Sequence, residues 1–432
     1  MEGCEGAKSL PLRCLGTSYI SMRCEGFSFR MVVDRYKVVV YISHMKTIPR
    51  LLAKQILKAA KGFPAVVLTG PRRSGKTFFF QHLIKGASYY LLEDPDVIAR
   101  LRADPRSFID GLKTPVILDE VQNVPEVFNY VRTVIDRHPG KNGQWFLTGS
   151  QEAPLMQGVT ESMAGRAAVF QLLPFSIEEY PGVSMFHGGF PEIVNRPSLA
   201  ADRFRSYIQT YLERDVRGVT SIRDLSTFRR FLALLASRSG QMLNRTDLAA
   251  PLGVSIPTIS QWMSILEITG QIILVPPFFE NFGKRLVKSP KIYFIDSGLL
   301  CYFLGIDSDA ALMRSPFLGA IFEGFVASEI VKSQYVRGKR RELYYFRDQQ
   351  GLEVDFVVPQ GNGRVLLLEA KATRTPMPAM AGSMQRLAGA MKNYQTSCCL
   401  LHLPVRHKSD LPLTAGVRPA ILDASFIRSI WD

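Results

Sequence analysis

Residues 70–77 read Gly-Pro-Arg-Arg-Ser-Gly-Lys-Thr, directly after the apolar run 65–68 (Ala-Val-Val-Leu) and directly before the helix-compatible run 78–84. A strand, a glycine-framed loop and a helix in that order make a phosphate-binding loop. Gly70 and Gly75 let the backbone curl so that successive N–H groups of Arg72, Arg73, Ser74 and their neighbours surround the β- and γ-phosphates, with Pro71 shaping the turn without a donor. Lys76 is expected to bridge those phosphates. Thr77 falls on the first helical turn, where its hydroxyl can ligate Mg²⁺ beside the positive end of the helix dipole. Phe78 follows at the helix start and completes the expected nucleotide contact set, which makes ATP and Mg²⁺ the expected cofactors.

Moving outward, residues 115–122 read Pro-Val-Ile-Leu-Asp-Glu-Val-Gln, an apolar run too short for a helix and closed by two acids. Strands buried on both faces of a parallel sheet read as continuous apolar runs, and ligands gather at their carboxyl ends. Asp119 is therefore expected to hold Mg²⁺, and Glu120 to polarise the attacking water. A further run, 145–147, ends in Thr148-Gly149-Ser150 and suits a hydroxyl sensor, with Thr148 or Ser150 as the candidate. The run 89–92 lies between the loop and the acid pair, a spacing that suits the additional-strand class of P-loop ATPases. Phosphoryl transfer also gains from an arginine that neutralises developing charge, for which Arg166 and Arg214 are the candidates. If either acts in trans, the protein forms a homo-oligomer.

The 432 residues carry a formal net charge of +15 and are 47% hydrophobic. That size allows two or three domains with packed cores. The charge points to a polyanionic partner such as double-stranded DNA. No apolar run approaches the roughly 20 residues needed to span a bilayer, which argues against a membrane role. Six scattered cysteines do not make a disulfide framework, so reduced thiols and a cytoplasmic location are expected. The first forty-four residues lack helical periodicity and fit no secretory signal, and are expected to be a disordered extension, with Met45 a natural start.

Past residue 200 the pattern turns helical, with Phe204, Tyr207, Ile208 and Tyr211 on one face. Residues 243–255 (Leu-Asn-Arg-Thr-Asp-Leu-Ala-Ala-Pro-Leu-Gly-Val-Ser) then follow helix-turn-helix grammar: a short helix, a turn at Gly253, and a second helix capped by Ser255 with Pro257 in its first turn. The second helix carries Thr258, Gln261 and Trp262, and an extended run 271–279 could form a wing. Such a segment either presents polar side chains to a DNA groove or packs against the rest of the ATPase. The basic cluster Lys284, Arg285, Lys288 and Lys291 is either a phosphate-backbone contact or a solvated connector.

In the last third, a helix bearing Glu323 precedes three extended runs, 343–346, 354–358 and 365–368, with Glu353 and Asp355 on the second and Glu369-Ala370-Lys371 closing the third. Acids on one strand followed by acid-x-lysine at the end of the next match a restriction-endonuclease-like site, made of Glu323, Asp355, Glu369 and Lys371. A non-catalytic sheet with charged edges reads the same way.

The whole arrangement resembles the archaeal and bacterial AAA-type P-loop ATPases that carry a C-terminal restriction-nuclease-like domain of unknown function. The shared stretches are Gly-Pro-Arg-Arg-Ser-Gly-Lys-Thr, Leu-Asp-Glu-Val-Gln, Leu-Thr-Gly-Ser-Gln, Ala-Gly-Arg, Gly-Gly-Phe-Pro-Glu (188–192), Tyr-Leu-Glu-Arg-Asp-Val (211–216), Phe-Glu at 322 and Glu-Val-Asp at 353. They run from about residue 45 to the C-terminus. The resemblance implies ATP binding and hydrolysis, with Lys76, Thr77, Asp119 and Glu120 in the roles given above. Phe78 to Phe80 and the alanine of Glu369-Ala370-Lys371 depart from the family pattern. The expected architecture is α/β: an extension (1–44), a P-loop ATPase sheet (45–185), a helical connector (186–225), a winged-helix-like segment (226–285) and a restriction-endonuclease-like α/β domain (286–432). Function is expected to be Mg²⁺-dependent ATP hydrolysis acting on or near DNA. The alternatives are a nucleotide-switched interaction protein with an inactive tail and an ATP-dependent DNA nuclease.

Overall fold

A computed structural model describes residues 18–24, 27–34, 37–43, 47–149, 162–212, 225–278, 289–404, 414 and 416–432. The chain divides into two compact units, 1–49 and 50–432. In the first, strands β1 (Ser18–Cys24), β2 (Phe27–Asp34) and β3 (Lys37–Ser43) pair in order as an antiparallel sheet, with Tyr19 opposite Val32 and Val32 opposite Val39. These three strands fall within the extension expected over 1–44. Runs such as Phe-Ser-Phe-Arg-Met-Val-Val and Lys-Val-Val-Val-Tyr-Ile-Ser are rich in β-branched and aromatic residues, which favour a pleated ladder.

The second unit opens with β4 (Ala65–Thr69), β5 (Ser88–Leu91), β6 (Val116–Asp119), β7 (Trp145–Thr148) and β8 (Ala167–Gln171), an all-parallel sheet in the order β5-β6-β7-β4-β8. Its side chains alternate between two cores. Ala65, Val67, Val116, Leu118, Trp145 and Leu147 pack on one face with Val131 and Ile135, while Val66, Leu68, Ile117 and Phe146 pack on the other with Phe79 and Phe80. The period of two along strands covered on both faces explains why they read as unbroken apolar runs. β7 lies between β4 and β6, so the lysine and acid strands are not neighbours.

Helices Leu225–Ser237, Arg245–Ala249 and Ile256–Ile268 follow. Asn244 caps the second through the Thr246 N–H at 3.0 Å, Gly253 turns the chain at φ +65°, and Ser255 caps the third through the Thr258 N–H at 3.2 Å. Trp262 does not face outward with Gln261. It is 3% exposed and packs against Phe228 and Phe231, because it shares the inner helix face with Ile259, Met263 and Leu266.

Strands β9 (Ile272–Val275) and β10 (Lys291–Phe294) pair antiparallel, which ties the stretch from residue 290, expected in the C-terminal domain, to the middle region. Lys284, Arg285 and Lys288 lie outside the described residues, and Lys291 is buried rather than a member of a solvated basic patch. The C-terminal sheet orders β11 (Tyr344–Arg347), β12 (Glu353–Gly361), β13 (Arg364–Lys371), β14 (Gln395–His402) and β15 (Val417–Ile421), antiparallel to β13 and parallel thereafter. The long helix Leu318–Val336 is buried nearly all round, and Phe322, Val326 and Ile330 join the sheet core. β15 and the helix Ala424–Ser429 were not foreseen. Among the described residues, no helix is long and apolar enough to cross a membrane.

Candidate active site

β4 delivers the chain into the loop at Gly70, whose φ of +135° suits glycine and whose added Cβ would overlap the Leu172 carbonyl. Gly75, at φ +93°, starts the Lys76–Leu83 helix. Lys76 is 5% exposed, and its ammonium donates to the Gly70 and Pro71 carbonyls, each at 2.9 Å, so the lysine is folded over the loop it is expected to serve. Arg50 braces the outside. Its guanidinium donates to Ser74 O at 3.3 Å and Leu173 O at 2.5 Å, and pairs with Glu179 at 3.0 Å. Burial pulls the Arg50 pKa down against that carboxylate.

Asp119, 2% exposed at the end of β6, gathers four donors. Thr77 Oγ1 donates to Oδ2 at 2.7 Å, and the Tyr89 hydroxyl to the same oxygen at 2.9 Å. Thr148 Oγ1 donates to Oδ1, as does the Glu120 N–H at 3.1 Å. Burial, then the charge of Asp119, pushes the Tyr89 phenol well above its usual range. Glu120 sits in the left-handed region at φ 57°, and its carboxylate accepts from Gln122 Nε2. A hydroxyl and a carboxylate oxygen meeting at the mouth of the loop suit a hard cation such as Mg²⁺.

Thr77, Thr148 and the Glu120 N–H thus meet on Asp119, while Lys76 lies over the loop itself, and the Thr148 hydroxyl is engaged with Asp119. Arg166 does not join them. Its carbonyl accepts from the Ala65 N–H at 3.1 Å, at the start of β4, which places it about 16 Å from the loop end at ~3.3 Å per strand residue. Its guanidinium forks onto Asp136 at 2.6 and 3.0 Å. The reason is topological: Arg166 precedes a parallel strand and so lies at the edge opposite the strand ends. Ser150 and Arg214 lie outside the described residues. Phe78 is half exposed, and its ring stacks on His82 with centroids 3.8 Å apart.

Two participants escaped sequence reasoning. Tyr89 needed the sheet order, since only the β5–β6 pairing carries its hydroxyl to Asp119. Glu192 ends the Gly-Gly-Phe-Pro-Glu stretch and receives Arg73 from the loop and Arg203 at 2.7 Å. That stretch is itself pinned: the Gly189 N–H donates to buried Asp296 at 2.8 Å, and Asp296 also caps the Ser297–Phe303 helix through the Leu299 N–H at 3.0 Å.

The C-terminal acids form a second cluster. Glu323 from the long helix, Asp355 from β12, and Glu369 and Lys371 from β13 lie together, with Glu353 of β12 and Lys291 of β10 as members that the sequence reading of the site did not include. Lys291 Nζ stands 3.0 Å from Glu323, 2.8 Å from Glu353 and 3.8 Å from Asp355, while Lys371 Nζ stands 3.1 Å from Glu369 and 3.5 Å from Asp355. The donor set does not fit a divalent ion, because an ammonium already sits among three of the carboxylates. Among the described residues no group of three or more acids, histidines or cysteines is arranged to hold a metal.

Burial, then the neighbouring Asp355, pushes both Glu323 and Glu369 up to about 7. Between their ordinary value of 4.5 and about 7 the folded chain keeps protons that the unfolded chain has released. Their contribution is fully present below pH 4.5 and is lost as pH rises through 7. Urea midpoints measured from pH 5 to 8 are expected to fall with a slope that Glu323→Gln and Glu369→Gln each flatten; equal slopes in all three proteins would contradict this.

Comparison with known proteins matches an AAA domain over residues 62–181, the domain of unknown function DUF8612 over 183–310 and the domain of unknown function DUF4143 over 318–412. Uncharacterized protein Rv2008c of Mycobacterium tuberculosis and uncharacterized protein Mb2031c of Mycobacterium bovis are each 33% identical over 387 residues, covering 88% of this chain and 85% of theirs. Among solved structures, the Walker-type ATPase PABY2304 of Pyrococcus abyssi is similar with a TM-score of 0.41 and 13% identity, covering 58% of this chain and 94% of its own.

Proposed function

The chain belongs to the family of the uncharacterized mycobacterial proteins Rv2008c and Mb2031c, built on an AAA domain, and from that footing we propose that it binds ATP and hydrolyses it with Mg²⁺. The observation that carries the reading is the Asp119 carboxylate held between the hydroxyls of Thr77 and Thr148, next to Glu120 and at the mouth of a loop covered by Lys76. In this mechanism the loop N–H groups and Lys76 receive the phosphates, the ammonium exchanging its two carbonyls for phosphate oxygens. Thr77 and Asp119 would hold Mg²⁺, which when bound screens phosphate charge. Glu120 orients a water and takes its proton as the γ-phosphoryl group leaves. Thr148 and Tyr89 act as positioning residues that keep Asp119 aimed.

The test is Mg²⁺-dependent phosphate release by the full chain, with Lys76→Ala as the control. Absence of calorimetric heat with every purine triphosphate would sink the proposal. Tyr89→Phe removes one donor from Asp119, and loss of such an outer hydrogen bond is expected to weaken the apparent Mg²⁺ affinity of turnover by about tenfold. A magnesium titration of the variant decides it, and an unchanged midpoint removes Tyr89 from the site.

A second reading, engagement of duplex DNA, is favoured by the capped helix Ile256–Ile268 with Gln261 exposed, together with the net charge of +15. Binding should weaken steeply with added salt, and lack of binding at low salt discards this reading. An arginine supplied from a second copy would be the basis for a homo-oligomer. Arg166, exposed at the far edge of its own sheet, is available to a neighbour only by leaving Asp136.

A further inference from the structure

The acid cluster of the C-terminal domain has the composition of a metal-dependent nuclease centre and an occupant of its own. We propose that Lys291 is the resident cation of this cluster, filling the place among Glu323, Glu353 and Asp355 that a divalent metal would take, and that the domain therefore holds no metal and cleaves no phosphodiester. Three observations carry this. The lysine is 3% exposed, so its ammonium is not a surface charge that happens to lean inward. Its contacts of 3.0, 2.8 and 3.8 Å draw on carboxylates from two different elements, the long helix and β12. Further donors of the chain crowd the same acids: the Tyr293 hydroxyl donates to the Glu323 oxygen that Lys291 meets, Arg347 pairs with Glu353 at 3.0 Å, the Ala370 N–H donates to Asp355 Oδ2 at 3.0 Å, and Lys371 covers Glu369. A metal would have to compete for these acids, since both oxygens of Glu353 and of Glu369 and the Oδ2 of Asp355 already serve donors of the chain itself.

The origin of the ammonium gives the arrangement a purpose. Lys291 stands on β10, which pairs with β9 of the middle region, whereas its acidic partners belong to the C-terminal domain. The ion pairs thus fasten one domain to the other, and a site with the ingredients for hydrolysis serves as a clasp. Replacing the lysine by methionine keeps an unbranched apolar stem and removes the charge, together with the ammonium's position 5.5 Å from the Tyr345 ring centroid.

The experiment measures Mn²⁺ binding by electron paramagnetic resonance on the full chain without nucleotide, in wild type, Lys291→Met, Asp355→Asn and the Lys291→Met/Asp355→Asn double variant. Wild type and Asp355→Asn are expected to leave the free Mn²⁺ signal equally strong. Lys291→Met should take up one further Mn²⁺ and lose that uptake in the double variant, with Mn²⁺ raising its melting temperature by several degrees and leaving that of wild type unmoved. A wild-type Mn²⁺ site that disappears with Asp355→Asn overturns the proposal, and so does a folded Lys291→Met that gains no site. Should Lys291→Met fail to fold, wild type against Asp355→Asn and Glu353→Gln decides alone: an unchanged signal supports the resident lysine, and a loss refutes it.

Discussion

Glu120→Gln is expected to lower ATP turnover by roughly 10²–10⁴-fold, the usual contribution of a positioned general base, while leaving nucleotide affinity nearly unchanged. The substitution is close to isosteric, and glutamine can still accept from Gln122 Nε2 through its amide oxygen. The backbone at 120 is fixed separately, by the N–H bond to Asp119 and the left-handed turn that follows β6. What disappears is the ability to take a proton from water. Lys76→Ala should behave differently, because it removes the ammonium that neutralises phosphate charge in both ground and transition states, so affinity and turnover fall together. Single-turnover phosphate release alongside fluorescent-nucleotide binding separates the two. Turnover of Glu120→Gln within twofold of wild type would move water activation to another group.

Lys332→Met is expected to destabilise the protein by about 3–5 kcal/mol, the usual consequence of stripping one partner from a buried ion pair. Glu329 is completely buried on the long helix, and burial raises its pKa against the pull of Lys332, 2.9 Å away. The lysine also donates to Phe175 O at 3.2 Å, and the glutamate accepts from the Ile177 N–H at 2.8 Å. Removing the ammonium therefore leaves a carboxylate and a carbonyl without their partner in the segment that links the nucleotide-binding sheet to the C-terminal helix. Urea unfolding measures the loss. The Glu329→Gln/Lys332→Met double variant should recover much of it, since a neutral amide can still meet the Ile177 N–H; a double variant as unstable as the single one would argue that packing, not charge, dominates here.

How far the sequence reveals this molecule depends on how local each cause is. The loop 70–77, the acid pair at 119 and 120 and the hydroxyl at 148 are legible because each sits at a strand end whose apolar run announces it, and the chemistry needs neighbours within a few residues. The C-terminal strands are legible for the same reason. Arg166 misleads because spacing along the chain does not tell which edge of a sheet a residue occupies; that follows from β8 being parallel to β4. Trp262 misleads because an indole in a helix-turn-helix pattern reads as a contact residue until the face it shares with Ile259 and Leu266 is known. Lys291 is hidden by distance, its nearest partner in sequence lying 32 residues on and the others on a strand of another domain. The antiparallel sheet of 18–43 escapes the sequence reading because a lack of helical periodicity does not exclude strands.

The segment 172–180 waits for atoms that are synthesised much later. The Ile177 amide finds its acceptor 152 residues downstream, and the Phe175 carbonyl its donor 157 residues downstream. At the usual 5–20 residues per second, a ribosome needs about 10–30 s to supply them. During that interval the nascent ATPase sheet can close, since all five of its strands have been made, yet its exit strap lacks these two anchors. A chain truncated before residue 329 would therefore keep the Arg50 brace on Leu173 and Glu179 and lose the anchors at Phe175 and Ile177.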